Sequence, residues 1–220
     1  MGDYPLELPP DLSERLARSL DVEGKIPRAF AALGPVEGRD VVLLDGGAGV
    51  RAQQLTELGA NVVPTDGPSS ATGLADELAD LVVSCWSSFR DDQAADLAEA
   101  ERVLRPAGRL LVLHDYGRDD VSRLRPADLP EYTTWSRRDG WFLRTGFKVR
   151  VLHCWWTFET LDDAGAFLEA AFGAVGRGVG AALRRPRLSY NVAIYHRTRM
   201  AAGDVAADRA AGGSELQATH

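Results

Sequence analysis

The sequence predicts one α/β domain, a doubly wound, mostly parallel sheet with helices on both faces in a three-layer sandwich. Three observations support this prediction. Short apolar runs recur between residues 40 and 113 and alternate with helical patterns, as in βαβ units with right-handed crossovers. A glycine-rich turn joins the first apolar run to a helix. The last regular segment, residues 188–195, alternates as a strand with one better-buried face does.

Composition and charge limit the function classes. The chain has 220 residues, of which 45% are hydrophobic and 26% charged, which excludes wholesale disorder and a disulfide-stapled miniprotein. The 25 basic and 32 acidic residues give a net charge of −7. Proteins that hold duplex nucleic acid through its phosphates normally carry the opposite sign, so we expect no nucleic-acid partner.

Neither a metal site nor a membrane segment is expected. Cys85 and Cys154 have no paired spacing, and the four histidines are scattered, so they form no metal signature. The sequence has no apolar run long enough to span a bilayer, and its first residues lack the features of a signal peptide. We therefore expect a cytoplasmic protein without a membrane partner; the sequence does not indicate its oligomeric state.

The chain divides into three predicted parts. Residues 1–39 form a helical leader with two short helices, at 11–17 and 26–33. Residues 40–199 form the α/β domain. Residues 200–220 are alanine, glycine and polar residues without periodicity, which indicates a disordered tail.

Within the domain, each element follows from a local pattern. Four apolar runs are typical of covered parallel strands: Val41–Leu44, Asn61–Pro64, Leu81–Ser84 and Leu110–Leu113. Helical patterns follow the glycine turn and cover residues 91–104. A long aromatic strand is predicted at 147–158, and Thr160 to Asp163 resembles a capping box that opens a helix running toward Gly173.

The glycine turn indicates a nucleotide site. Glycines let a ligand approach the backbone, and the helix that follows offers unpaired N–H groups. Asp66 follows the second strand about 20 residues after Gly47, where a carboxylate accepts hydrogen bonds from ribose hydroxyls. The run from Gly47 to Ala52 also fits the dinucleotide pattern G-x-G-x-x-G/A. Asp45 argues against a pyrophosphate there and suits a ligand with an ammonium or sulfonium group.

Several motifs, in order, resemble those of the class I S-adenosylmethionine-dependent methyltransferases. The segment Val41–Gly49 is similar to their first motif, a hydrophobic strand followed by D-x-G-x-G, and Asp66 falls on their second-strand acid. Three later segments resemble the approaches to their fourth, fifth and sixth strands: residues 79–84, 101–111 and 144–149. The resemblance covers roughly residues 40–196.

The resemblance implies methyl transfer from S-adenosyl-L-methionine and an antiparallel C-terminal strand. It places the cofactor against the glycine turn and the end of the second strand, with these binding residues: Asp45, Gly46, Gly47, Ala48, Gly49, Asp66 and Gly67. Two alternatives remain open. One is an NAD(P)-binding oxidoreductase, and the other is a non-catalytic nucleotide-binding or interaction module.

One departure from the family concerns the third strand. Residues 67–79 are too few for the helix, strand and adenine-contacting turn that the family places there. Either the third strand is vestigial or the connection is abbreviated. We expect residues 71–75 to take the place of the adenine turn.

The acceptor is predicted to be a small molecule bound at the carboxyl ends of the fourth and fifth family strands. The side chains expected there are Cys85, Trp86, His114, Asp115 and Tyr116. His114 is the candidate catalytic base for a hydroxyl acceptor, although a structural role is also open for it. Trp155 and Trp156 are interpreted as core residues. The arginines at 184–187 are interpreted as a solvated loop.

Overall fold

The structure is a computed structural model that describes residues 5–44 and 49–199. Its strands are β1 (Asp40–Leu44), β2 (Asn61–Pro64), β3 (Ala79–Cys85), β4 (Leu104–Asp115), β5 (Lys148–Thr157) and β6 (Arg187–Thr198). Its α-helices are α1 (Pro10–Ser19), α2 (Lys25–Leu33), α3 (Val50–Glu57), α4 (Gln93–Val103), α5 (Pro130–Thr133), α6 (Trp141–Arg144) and α7 (Leu161–Ala182). The predicted tail at 200–220 lies outside the described residues.

The six strands form one sheet in the order β2-β1-β3-β4-β6-β5. Strands β1, β2, β3 and β4 pair in parallel, whereas β6 runs antiparallel to both of its neighbours, β4 and β5. The mostly parallel sheet with an antiparallel C-terminal strand is therefore confirmed. The carboxyl ends of the parallel strands meet at one edge of this sheet, which we call the carboxyl edge.

Helices cover both faces of the sheet, as a three-layer sandwich requires. The central strands have almost no exposed side chains: Val41 to Leu44 and Leu110 to Leu113 are each at most 1% exposed. On one face, leucines and aromatics of α1, α2, α3 and α7 pack against alternate residues of the strands. On the other face, α4 and α6 pack against the residues in between. The period of two along each strand explains this division.

The connection between β2 and β3 lacks the additional strand that the family pattern places there. Residues 65–78 contain no helix or strand, and β3 pairs directly with β1. The connection predicted to be abbreviated is therefore irregular throughout, and the sheet has one strand fewer on this side than the family pattern implies.

Helix α7 is longer than the sequence predicts. The pattern places its end near Gly173, but the helix continues to Ala182 after a break at Gly173, whose φ of 58° is left-handed. The second half of the helix folds back closely on the first. A Cβ added at Gly176 would lie 1.8 Å from the carbonyl oxygen of Leu168, and one added at Gly180 would lie 3.0 Å from the Cα of Gly165. Glycine ends one helical segment here and permits the close approach of the next.

Candidate functional site

The glycine turn lies between the carboxyl end of β1 and the start of α3. Asp45, Gly46, Gly47 and Ala48 lie outside the described residues, so their cofactor contacts stay predictions. Gly49 is the N-cap residue of α3, in an extended conformation with φ −82° and ψ −161°. The strand that ends at Leu44 and the helix that begins at Val50 are thus both present on the two sides of the predicted turn, and the N-terminus of α3 lies at the carboxyl edge.

Asp66 and Gly67 lie at the same edge. Pro64, the last residue of β2, pairs with Leu43 of β1, so the chain after β2 emerges beside the carboxyl end of β1. Asp66 is exposed and makes no hydrogen bond or ion pair with any residue that the structure describes. A Cβ added at Gly67 would have no atom within 4 Å. As far as the described residues go, the carboxylate of Asp66 is without a partner, which fits its predicted role toward ribose hydroxyls.

Helix α4 holds the connection that replaces the third strand. Asp96 accepts hydrogen bonds from Ser69 Oγ at 2.7 Å and from the Phe89 backbone N–H at 2.6 Å. Glu99 accepts from Thr72 through its backbone N–H at 2.8 Å and its hydroxyl at 2.6 Å. The residues that follow β2 and those that follow β3 are therefore fixed by the same helix.

Glu99 is ionised in this arrangement. Hydrogen bonding to Arg102 lowers its pKa from 4.5 to about 2, with smaller contributions from Thr72 and against the effect of burial. The segment predicted to stand in for the adenine turn, residues 71–75, is anchored by this carboxylate. No sequence motif marked Asp96 or Glu99, because both are ordinary acidic residues of an amphipathic helix.

The loop after β3 has an unusual backbone. Trp86 and Phe89 both have left-handed φ angles, 57° and 65°, which cost free energy for bulky side chains. The Trp86 N–H donates to Leu113 O at 2.8 Å, and Arg90 Nε donates to Trp86 O at 2.9 Å. The Arg51 guanidinium, from the first turn of α3, lies over the Trp86 ring at 5.2 Å. These two hydrogen bonds and the Arg51 contact thus hold a strained loop between the predicted cofactor and acceptor regions.

Asp115, at the end of β4, is a buried carboxylate surrounded by donors. Trp86 Nε1 donates to one oxygen at 3.0 Å, and the Tyr190 hydroxyl donates to the same atom. The other oxygen accepts from the Tyr132 hydroxyl at 3.0 Å and from the Arg125 guanidinium. Burial raises the pKa of Asp115, and Arg125 opposes that rise. With both oxygens engaged, Asp115 serves as a structural anchor.

A second buried carboxylate, Glu131, shares the Arg90 guanidinium with His114. Its Oε1 accepts from Arg90 at 3.2 Å. Within the part of the chain that the structure describes, its Oε2 is buried without a hydrogen-bond partner, as is the Tyr195 hydroxyl. Glu131 Oε2 is therefore a buried oxygen that can still accept a hydrogen bond.

His114 is completely buried. Its Nε2 lies 3.0 Å from Ser88 O, so Nε2 carries the proton, because a carbonyl only accepts. Its Nδ1 faces Arg90 at 3.5 Å, and its ring packs edge-on against Trp135 at 4.6 Å. Burial lowers its pKa well below 6.5, and Arg90 adds to this. The contacts favour the structural role; the catalytic role stays a prediction.

The other predicted acceptor-site residues are largely enclosed. Cys85 and Trp86 are buried, whereas Tyr116 is half-buried beneath the Arg118 guanidinium. Trp156 is fully buried in the core, which confirms that interpretation for this residue. The interpretation was wrong for Trp155, which is half-buried outside the core clusters with Arg187 stacked over it at 4.2 Å.

The segment between β4 and β5 contributes site residues that no sequence pattern indicated. Residues 116–147 supply the side chains that enclose the carboxyl ends of β3 and β4: Arg125, Glu131, Tyr132 and Trp135. None of them belongs to a motif or a regular pattern. Their proximity comes from tertiary packing, and the available hint was the density of aromatic residues in a stretch with no predicted element.

Solved structures share this fold. A protein from Anaeromyxobacter dehalogenans proposed to be a type II methyltransferase has a TM-score of 0.53 and 17% identity, over 80% of this chain and 95% of that chain. The MccD protein has a TM-score of 0.54 and 12% identity, over 80% and 99%. A Haloferax volcanii complex of the Trm112 methyltransferase activator with a proposed methyltransferase has a TM-score of 0.50 and 16% identity, over 83% and 91%.

These likenesses confirm the class I methyltransferase fold that the motifs indicated. At such identities they establish the fold alone. No protein-family model and no curated protein matches the sequence. Within residues 5–44 and 49–199, no helix is long and apolar enough to cross a membrane, and no cluster of three His, Cys, Asp or Glu side chains is arranged to hold a metal ion.

Proposed function

We propose that this protein transfers the methyl group of S-adenosyl-L-methionine to a small-molecule acceptor at the carboxyl edge. The observation that carries the proposal is the position of β6, antiparallel between β4 and β5. The methyltransferase resemblance implies this strand, whereas the dinucleotide-binding order 3-2-1-4-5-6 belongs to a parallel sheet. The sheet therefore favours methyl transfer over the oxidoreductase alternative.

The residues of the carboxyl edge fit the cofactor. Gly49 and the N-terminus of α3 border the glycine turn, and Asp66 is free of contacts with described residues. In the proposal, Asp66 receives the ribose hydroxyls and Asp45 lies near the amino-acid end of the ligand. When bound, S-adenosylmethionine supplies a sulfonium methyl group that an acceptor takes in an in-line displacement, breaking the carbon–sulfur bond.

The chain contributes positioning and exclusion of water. Such a displacement gains most from orientation in a dry site. The anchored loops after β2 and β3 and the buried donors around Asp115 supply a rigid wall. For an acceptor that must lose a proton, Glu131 Oε2 is a second candidate base beside His114, because it has no hydrogen-bond partner among the described residues whereas Nδ1 of His114 faces Arg90. Both side chains are completely buried.

A second candidate function has one specific observation in its favour. The third strand is absent, and residues 65–78 are bound to α4 in its place. A chain that lost part of the adenine pocket could have kept the fold as an interaction module. This candidate predicts that no adenosine-containing ligand binds.

Calorimetry separates these functions. We expect S-adenosylhomocysteine to bind the protein and NADH not to bind. Binding of NADH alone would assign the protein to the oxidoreductases, and binding of neither would favour the interaction module. A product assay with S-adenosylmethionine and a panel of small phenols, alcohols and amines then tests turnover.

A further inference from the structure

A basic cavity lies between α2 and the edge strand β5, away from the carboxyl edge. Its volume is about 380 Å³, and it is lined by Lys25, Arg28, Ala29, Arg150, Val151, Leu152 and His153. Two arginines and one lysine line it and none of its lining residues is acidic; the ring of His153 is engaged elsewhere, with its Nδ1 2.8 Å from Asn191 Oδ1. We call this the α2–β5 cavity.

Its two arginines have no counter-charge at contact distance. Lys25 is paired, because its Nζ lies 2.5 Å from Glu23 Oε2 and donates to His153 O at 2.7 Å. Arg28 and Arg150 form no ion pair with any carboxylate in the described ranges. Both are exposed, so their guanidinium groups are accessible from solvent.

The neighbouring surface is also positive. His196 of β6 pairs with Lys148 of β5, and its pKa is lowered by burial and then by Arg109, Lys148 and Arg150. The charged groups that act on this histidine are thus all cationic. In a chain with a net charge of −7, such a concentration of cations in one concave place raises the local concentration of anions. Glu23, which acts on Lys25 and Arg28, offsets part of this positive charge.

We propose that the α2–β5 cavity binds a small phosphorylated molecule with at least two negative charges. Arginine guanidinium groups bind phosphate oxygens through paired N–H donors, and the two arginines come from the two elements that border the cavity, Arg28 from α2 and Arg150 from β5. This site is independent of the proposed methyl transfer and lies on different strands from its cofactor.

Cations on an edge strand also have a simpler role. They discourage pairing with another sheet, and that role requires no ligand. The two explanations differ in what they predict for a soluble anion, because protection of the edge gives no saturable binding.

Calorimetry with pyrophosphate tests the proposal on the full chain. We expect saturable binding at low ionic strength, with Arg28→Gln and Arg150→Gln each weakening it at least tenfold. Arg138→Gln is the matched control, because it removes one positive charge from an exposed position on the α5–α6 connection and is expected to leave the affinity within twofold.

Two results would overturn the proposal. One is the absence of saturable pyrophosphate binding by the folded protein, with folding checked by circular dichroism. The other is equal weakening by all three variants, which would indicate a diffuse charge effect. S-adenosylhomocysteine binding is measured in the same samples, so failure of this site and failure of the proposed function are distinguished.

Discussion

Asp115 and Glu131 are both fully buried carboxylates near the carboxyl edge, but their oxygens have different surroundings. Four side-chain donors engage Asp115, whereas one oxygen of Glu131 has no partner among residues 5–44 and 49–199. A carboxylate saturated with donors stabilises the structure around it, while an unsatisfied buried oxygen costs free energy unless a ligand or a proton meets it. The position of an acidic residue at a strand end therefore does not decide its role.

Replacing Asp115 tests its role as an anchor. Asp115→Asn leaves the Arg125 guanidinium, which is 12% exposed, without its counter-charge. Breaking a buried ion pair in this way costs about 3–5 kcal/mol, and we expect the free energy of unfolding in urea to fall by that amount. The control is Asp139→Asn, in an exposed pair with Arg137, where the expected loss is at most about 1 kcal/mol. Similar losses in both variants would contradict the anchor role.

Asp66 tests the cofactor site at the level of one residue. Because its carboxylate is exposed and has no contact with described residues, Asp66→Ala is expected to leave the fold unchanged. Two hydrogen bonds to a charged group are worth about 1.5–3 kcal/mol each, so the affinity for S-adenosylhomocysteine should fall more than tenfold. Calorimetry measures this, with the exposed Asp128→Ala as control. An unchanged affinity would remove Asp66 from the site.

At the scale of elements, helix α4 fixes the connection between β2 and β3, which contains no strand. Asp96 and Glu99 accept hydrogen bonds from this connection, and the stability of the protein should depend on the charge of Glu99. Because hydrogen bonding to Arg102 lowers the folded-state pKa of Glu99 from 4.5 to about 2, ionised Glu99 stabilises the fold above about pH 4.5. That contribution is lost as the pH falls toward about 2.

The pH dependence of unfolding checks this. Glu99→Gln should be less stable than the wild type at pH 6, and the difference should shrink as the pH is lowered from 4.5 toward 2. Urea denaturation at several pH values measures it, with Glu57→Gln on the exposed side of α3 as the control. A stability difference that does not vary with pH would assign the effect to lost packing instead of charge.

The fold-back within α7 gives another prediction at this scale. Gly176→Ala would place a Cβ against Leu168 O, whereas a Cβ at Gly178 has no atom within 4 Å. We expect Gly176→Ala to reduce the free energy of unfolding by about 1–3 kcal/mol or more. Gly178→Ala should raise it by up to about 1 kcal/mol, because alanine favours helix over glycine. Equal effects would mean that the two helical segments do not pack closely.

These elements also show how far local sequence information reaches. The strands from Val41 to Leu113 were predictable, because a buried parallel strand needs a continuous apolar run. The antiparallel β6 followed from the family resemblance and its alternating pattern. The continuation of α7 was not predictable, since a glycine that ends a helix and one that permits a fold-back look the same in sequence.

The same contrast holds for the candidate site. The glycine turn and Asp66 could be predicted as candidates because their spacing along the chain is short and regular. Glu131 and Arg125 were not, because they reach β3 and β4 only through the packing of an irregular segment. The position of Trp135 could not be predicted either, although its ring packs against the ring of His114.

At the scale of the whole molecule, the N-terminal helices belong to the same core as the sheet. Leu12, Leu16 and Leu20 of the first segment are at most 6% exposed and pack in the cluster that contains Trp156 and Phe167. Leu20 also forms a backbone bridge with Trp156 of the edge strand. These leucines belong to the predicted leader at 1–39, and they cover one face of the sheet next to the edge strand β5.

Leu16 tests whether this covering is integral to the domain. It is completely buried, so Leu16→Ala removes packed methyl groups and leaves a cavity between α1 and the sheet. The expected loss is about 2–5 kcal/mol in the free energy of unfolding, seen in urea denaturation as one transition shifted to lower denaturant. Val22→Ala, in the α1–α2 link at 63% exposure, should change stability by no more than about 0.5 kcal/mol. If Leu16→Ala instead gave a separate early transition and left the main one in place, α1 would be an appendage that unfolds independently of the sheet.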